Sequence, residues 1–175
     1  MNNQEIIESS EKKYSNFLPL HKLILLLIIG GSFYQFYWVY SSLKIIKQYY
    51  NNDINVPLRL LSLFIPILNL IILYILFSDL SRLCKSKLKL NKSYNALTVF
   101  LLLLLFTSLL YLPKPYSIIG FLTSSLPFIF VQIKLNKVWK KVEIYKKINQ
   151  YFTPIEMFCV VVGIFIWLLL FKYYL

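Results

Sequence analysis

One histidine, two cysteines and seven carboxylates are the side chains this 175-residue chain could commit to acid–base, nucleophilic or metal chemistry. His21 stands at the edge of an apolar run with no acid or cysteine near it in sequence, so it reads as a capping or interfacial residue. Cys84 and Cys159 lie in different segments without Cys-x-x-Cys spacing, which argues against a disulfide and a metal site. Cys84 is close to the end of an apolar run, where acylation is conceivable; a free thiol is the simpler reading. Glu5, Glu8, Glu11, Asp53, Asp79, Glu143 and Glu156 all avoid the middle of the long apolar runs, where ion-coupled carriers bury ionisable groups. The sequence has no phosphate-binding glycine loop, His-Glu-x-x-His helix or Gly-x-Ser-x-Gly elbow. The expectation is a non-enzyme without cofactor or metal. An enzyme acting on a lipid-like substrate would need at least two of His21, Asp79, Glu143 and Glu156 to converge.

Two other sets of residues carry binding chemistry. Pro66, Asn69, Thr123, Ser124 and Ser125 interrupt apolar runs and form a candidate intramembrane polar seam. Such a seam either bonds helix to helix or lines the path of a small oligomeric transporter or channel. The second set is basic. The formal net charge is +12, and lysine outnumbers arginine 17 to 2, which with abundant Asn, Ile and Tyr reads as the codon bias of an AT-rich genome. Lys85, Lys87 and Lys89, then Lys137, Lys140, Lys141, Lys146 and Lys147, adjoin apolar runs and are candidate contacts to anionic lipid headgroups. That placement favours lipid over nucleic acid, and leaves a protein partner or a homo-oligomer open.

These residues must be positioned by apolar segments. The chain is 58% apolar with a mean hydropathy of +0.64, against about 45–50% apolar in soluble domains. The excess lies in five runs: Leu23 to Tyr40, Arg59 to Asp79, Ala96 to Leu112, Tyr116 to Ile133 and Met157 to Leu170. The first holds Gly30-Gly31, which permits close helix packing, and ends in an aromatic belt. The second reads first as a span kinked at Pro66, with a re-entrant segment as the alternative. Pro113-Lys114-Pro115 makes runs three and four a helical hairpin. Residues 134–150 place Leu135, Val138, Trp139, Val142 and Tyr145 at helical spacing among lysines, the pattern of a basic interfacial helix. Thr153-Pro154-Ile155-Glu156 has the form of a helix start, with Gly163 and Trp167 in the run that follows. The first 19 residues lack the pattern of a cleaved signal and read as a polar tail.

The expected fold is thus an all-α integral membrane bundle over 20–175. It has five transmembrane helices, or four and a re-entrant segment, with one basic amphipathic interfacial helix. With five spans, the positive-inside rule puts fourteen Lys and Arg on the cytoplasmic side and five outside; the re-entrant alternative gives the same division. Both arrangements put the C-terminus outside and disagree over the N-terminus.

The segment Tyr34-Gln35-Phe36-Tyr37-Trp38-Val39-Tyr40, with Leu43-Lys44-Ile45-Ile46-Lys47 after it, resembles the start of a family of small uncharacterised prokaryotic membrane proteins. Pro57, Arg59, Leu126-Pro127, Val131-Gln132, Asn136, Gly163 and Trp167 continue the resemblance in order over about residues 20–172. Ser32 stands where a Gly is common and Leu43 where a Trp is common, and the run over 60–78 is longer and more apolar than the pattern. The resemblance implies a multi-pass protein of the prokaryotic cytoplasmic membrane and supplies no activity.

Overall fold

The structure, a computed structural model, describes residues 17–50, 54–88, 94–113, 116–141 and 152–174, and among these it is all-α. Helix α1 covers Leu20–Ile29, α2 Gly31–Tyr50, α3 Val56–Ser62, α4 Pro66–Leu88, α5 Ala96–Ser108, α6 Ser117–Thr123, α7 Leu126–Lys141 and α8 Pro154–Tyr174, with a short 3-10 turn at Leu109–Tyr111 after α5. Two stretches are long and apolar enough to cross a membrane, Pro66–Ser86 and Ser117–Lys140; Leu20–Ile29, Ala96–Tyr111 and Pro154–Leu169 are apolar but shorter. The helix starts are capped by their own side chains. Asn55 accepts from Leu58 N with Pro57 in the first turn of α3, and Asn95 accepts from Leu97 N on α5. At α8, Thr153 and Glu156 form the reciprocal box that their spacing suggested, with Thr153 N donating to Glu156 Oε2 at 2.6 Å and Glu156 N to Thr153 Oγ1 at 3.3 Å.

The first apolar run does not form one helix. It breaks at Gly30–Gly31, where Gly31 takes a φ of +51° that only glycine adopts without strain. The chain then doubles back. Along α6 and α7, the Phe121 ring faces Gly31, Ser125 bonds Gln35, Gln132 bonds Trp38, and Trp139 packs on Tyr49. Helix α2 therefore runs alongside this helix pair in the same direction. Leu18, just before α1, bonds Asn136 near the far end of that series, so α1 runs the opposite way. The expected single span over Leu23–Tyr40 is a helical hairpin instead.

The second run is a hairpin too. Phe64 stacks on Phe36 at 5.5 Å, whereas at the other end Tyr50 lies beside Ser86 and Arg82. Helix α3 thus descends against α2, the chain turns over Leu63-Phe64-Ile65, and α4 returns. Proline suits this tip because it has no N–H to satisfy. The N–H groups of Leu63, Phe64 and Ile65 bond the carbonyls of Leu60, Leu61 and Ser62 at 3.1–3.2 Å, and Asn69 N resumes the helix on Ile65 O. Runs three and four form the hairpin expected of them: Tyr94 packs on Phe130 at the open end, and Gly120 lies against the Leu109–Leu110 backbone near the tip. Residues 134–141 do not start a separate helix. No breaker separates Ile133 from Lys134, and α7 continues through them with Leu135, Val138 and Trp139 buried. The rest of the expected interfacial helix, 142–150, lies outside the described residues, as does the polar tail up to Asn16.

Three hairpins therefore open toward one end, and α8 runs alone beside α1, with Glu156 near Lys22 and Gly163 near Ile29. Lys22, Lys44, Lys47, Arg59, Arg82, Lys85, Lys134, Lys137 and Lys140 all belong to turns at or next to that open end. Among the described residues, Lys172 is the one cation at the other end. The ends of α2 and α4 share the open end, as the re-entrant alternative for the second run expects; the first run, expected to cross in both arrangements, returns instead.

At the α1–α2 break, α8 crosses in backbone contact. A Cβ on Gly163 would collide with the Ile29 carbonyl and lie 2.9 Å from Gly30 Cα. Gly163→Ala is expected to destabilise the protein by about 1–3 kcal/mol, the usual range for overpacking a tight contact. The readout is a lower midpoint in thermal unfolding of the full chain in detergent; an unchanged midpoint would show that the crossing is loose.

Candidate functional site

The largest polar feature inside the bundle joins α2, α7 and the entry to α1. Ser125, Gln132 and Asn136 are spaced seven and four apart, which puts them on one face of the α7 helix. Trp38 Nε1 donates to Gln132 Oε1 at 2.7 Å, Gln132 Nε2 to Asn136 Oδ1 at 2.9 Å, and Asn136 Nδ2 to Leu18 O at 2.6 Å. Leu18 N returns a bond to Asn136 Oδ1 at 3.3 Å, and Gln35 Nε2 reaches Ser125 Oγ at 3.2 Å. The amides of Gln35, Gln132 and Asn136 each have a defined partner, so these bonds hold helices in register and leave little of their polarity for a ligand.

The seam proposed from sequence is divided by the structure. Ser125 joins the array through Gln35. Thr123 Oγ1 bonds Ile119 O at 2.7 Å and Ser124 Oγ bonds Phe121 O at 2.9 Å, so both serve their own helix. Pro66 is exposed at the tip of the second hairpin. Asn69 lines a small cavity of ≈ 70 Å³ with Ser32, Gln35, Phe36 and Val39 of α2 and with Phe128. Its Oδ1 is buried and has no hydrogen-bond partner in the protein. The space is enough for about two water molecules. Gln35, Gln132 and Asn136 were the members that sequence reasoning missed. Their 7- and 4-residue partners on the later helix were visible, but nothing local named α2 as the facing surface.

A second polar centre was also missed. Lys22 Nζ lies 2.8 Å from Glu156 Oε2, with both side chains about 95% buried (4% and 5% exposed). The Phe152 ring sits 5.1 Å from the ammonium. The same carboxylate oxygen accepts from Thr153 N, so Glu156 caps α8 and neutralises a cation on α1 together. Asp79 has a different partner, Arg82 at 3.9 Å, and His21 is exposed on α1. Glu143 lies outside the described residues. Among the described residues no group of three His, Cys, Asp or Glu could hold a metal ion, and both cysteines are buried free thiols.

The basic residues flank the open end. Lys85 on α4 and Lys137 and Lys140 on α7 are exposed; Lys87 and Lys141 lie in the same helices; Lys89, Lys146 and Lys147 fall outside the described residues. Between α4 and α5 a cleft of ≈ 510 Å³ is lined by Tyr74, Ser78, Ser81, Arg82, Lys85 and the residues from Tyr94 to Leu97. Its inner wall is fixed: Ser81 Oγ donates to Tyr94 O at 2.8 Å, and Tyr94 Oη donates to Phe77 O at 3.0 Å. Burial holds the Tyr94 phenol above its ordinary range, so it stays a donor.

No family model matches the chain, and no curated protein or solved structure is significantly similar to it.

The Lys22–Glu156 pair is the feature most sensitive to substitution. Glu156→Gln keeps an oxygen for Thr153 N but strands a buried ammonium, and is expected to cost about 3–5 kcal/mol of stability. Lys22→Met combined with Glu156→Gln should recover most of the loss. Unfolding midpoints of the single and double variants check this; a double variant no better than Glu156→Gln would refute the pairing argument.

Proposed function

We propose that the chain is a non-enzymatic, multi-pass integral protein of a prokaryotic cytoplasmic membrane, with its basic open end on the cytoplasmic face. There it binds anionic lipid headgroups or a protein partner. One observation carries this reading: cations gathered at a single end of a bundle whose flanks are apolar. Leu61, Phe64, Ile67, Val161, Phe165 and Leu168 are each 62–74% exposed. Only 33% of the apolar stretch Pro66–Ser86 is buried, although a core helix of a soluble protein would bury most of it. The positive-inside rule assigns the basic end to the cytoplasm.

Helix lengths refine the arrangement. α1, with 10 residues, is roughly 15 Å long, and α3, with 7, roughly 10 Å. Both fall short of a hydrocarbon layer of about 30 Å. Each of the three hairpins therefore returns to the end it starts from, with α4 and the α6–α7 stretch long enough to cross and α1, α3 and α5 shorter, and α8 leaves the chain at the far end. The N-terminal end and all hairpin openings are then cytoplasmic, and the C-terminus is outside. The test uses Lys47→Cys and Lys172→Cys in a Cys84→Ser, Cys159→Ala background with a membrane-impermeant thiol reagent. Lys172→Cys should label in intact cells and Lys47→Cys only after permeabilisation. Labelling of Lys47→Cys in intact cells would restore the first run as a crossing helix.

The cavity at Asn69 favours a second reading, a small oligomeric transporter or channel. On that reading Asn69→Cys in the same background reacts with a small polar thiol reagent added from outside. Complete protection removes it.

A further inference from the structure

The cleft between α4 and α5 is built differently from the rest of the basic end. Tyr74, Ser78, Arg82 and Lys85 fall at intervals of four, four and three along α4, a single stripe on one helix face. The stripe is graded: its inner end is a half-exposed tyrosine, its outer end two exposed cations. Arg82 contacts Asp79, which does not line the cleft, at 3.9 Å, and its side chain is 73% exposed, so its fork of donors is open to a tetrahedral anion. Lys85, one turn on, adds a second positive charge to the same space. On the opposite wall Leu97 is 49% exposed, and Leu101, one turn deeper on α5, is 53% exposed. A ligand filling this volume meets cations and hydroxyls at the outer end and an open leucine track leading inward.

We propose that this cleft is a specific seat for an anionic phospholipid, its phosphate between Arg82 and Lys85 and an acyl chain along Leu97 and Leu101. The inference rests on the reading above that the basic end lies at a membrane surface. It differs from general attraction of lysines to a charged leaflet, because Lys137 and Lys140 are exposed too but do not line this cleft. The Ser81–Tyr94–Phe77 bonds tie the two walls together at the cleft's inner side and fix their register, so the seat is formed before the lipid arrives.

The full chain, purified in detergent, is titrated with phosphatidylglycerol or phosphatidylcholine and bound lipid is counted by native mass spectrometry. The expected result is a single tight phosphatidylglycerol, with half-saturation raised about tenfold in Arg82→Gln/Lys85→Gln and unchanged in Lys137→Gln/Lys140→Gln. Asn95→Asp keeps the cap of α5 and adds a negative charge to the cleft, so it should weaken binding without unfolding the chain. Unchanged binding in Arg82→Gln/Lys85→Gln and in Asn95→Asp would overturn the proposal. So would equal binding of phosphatidylcholine, or displacement of the lipid by excess inorganic phosphate, which would make the ligand a free anion. Release of the chain from membranes by alkaline carbonate would instead sink the membrane reading, whatever the lipid titration shows.

Discussion

The arrangement depends on how the backbone break at Gly30–Gly31 is satisfied inside an apolar bundle. A helix that stops in the interior leaves carbonyls without partners, and each would be costly away from water. Here Trp167 Nε1 donates to Ile28 O at 3.0 Å, and the Trp167 ring meets Phe121 edge-on at 5.2 Å. Gly163 lets α8 come close enough for that bond to form. The last helix therefore completes the turn of the first hairpin. Lys22–Glu156 fixes the same two helices a few turns away, so α1 and α8 are joined at both ends of their contact. The second hairpin needs no such help, because its tip satisfies its own N–H groups and uses a proline where the next would fall.

Two tips closed in these different ways have one consequence for charge. Because each of the first two runs returns to the end it came from, the last turns of α2, α4 and α7 lie together, with Tyr49 against Trp139 and Tyr50 beside Ser86. Their lysines then add on one face. A chain with the same composition but a crossing second run would have split them. Clustering of cations costs repulsion, which the proposed anionic membrane surface would offset. The basic end thus follows from the glycine break and the proline tip as much as from the lysine content.

Much of the helical class was legible in the sequence. Pro113 and Pro115 marked the third hairpin, and the Thr153–Glu156 spacing marked the start of α8, because these signals act within a few residues. Gly30-Gly31 was read as a packing site, and the structure places α8 there as expected of such a site; the left-handed turn at Gly31 was not read, because a glycine pair has the same sequence in either role. Pro66 was ambiguous for a similar reason: a kink and a tip both need a residue without an N–H. The charge count offered no rescue, since both expected arrangements carried the first run across and gave the same fourteen-to-five total, with the head and the first loop exchanged. Lys22 with Glu156, and Gln132 with Trp38, are separated by most of the chain, and no local pattern predicts such pairs.

The polar groups of this protein sort by whether packing consumes them. Gln35, Trp38, Gln132, Asn136, Lys22 and Glu156 are tied into bonds that hold helix to helix, and a ligand could engage them only by breaking those bonds. Asn69 faces a cavity of only ≈ 70 Å³. At the open end the balance changes: Arg82 and Lys85 are exposed beside a cleft whose walls are braced by other residues. A binding function needs groups that are both held in place and unsatisfied, and among the described residues that combination is met between α4 and α5. The interior then reads as scaffold, and the proposal that the basic face meets a ligand rests on that contrast.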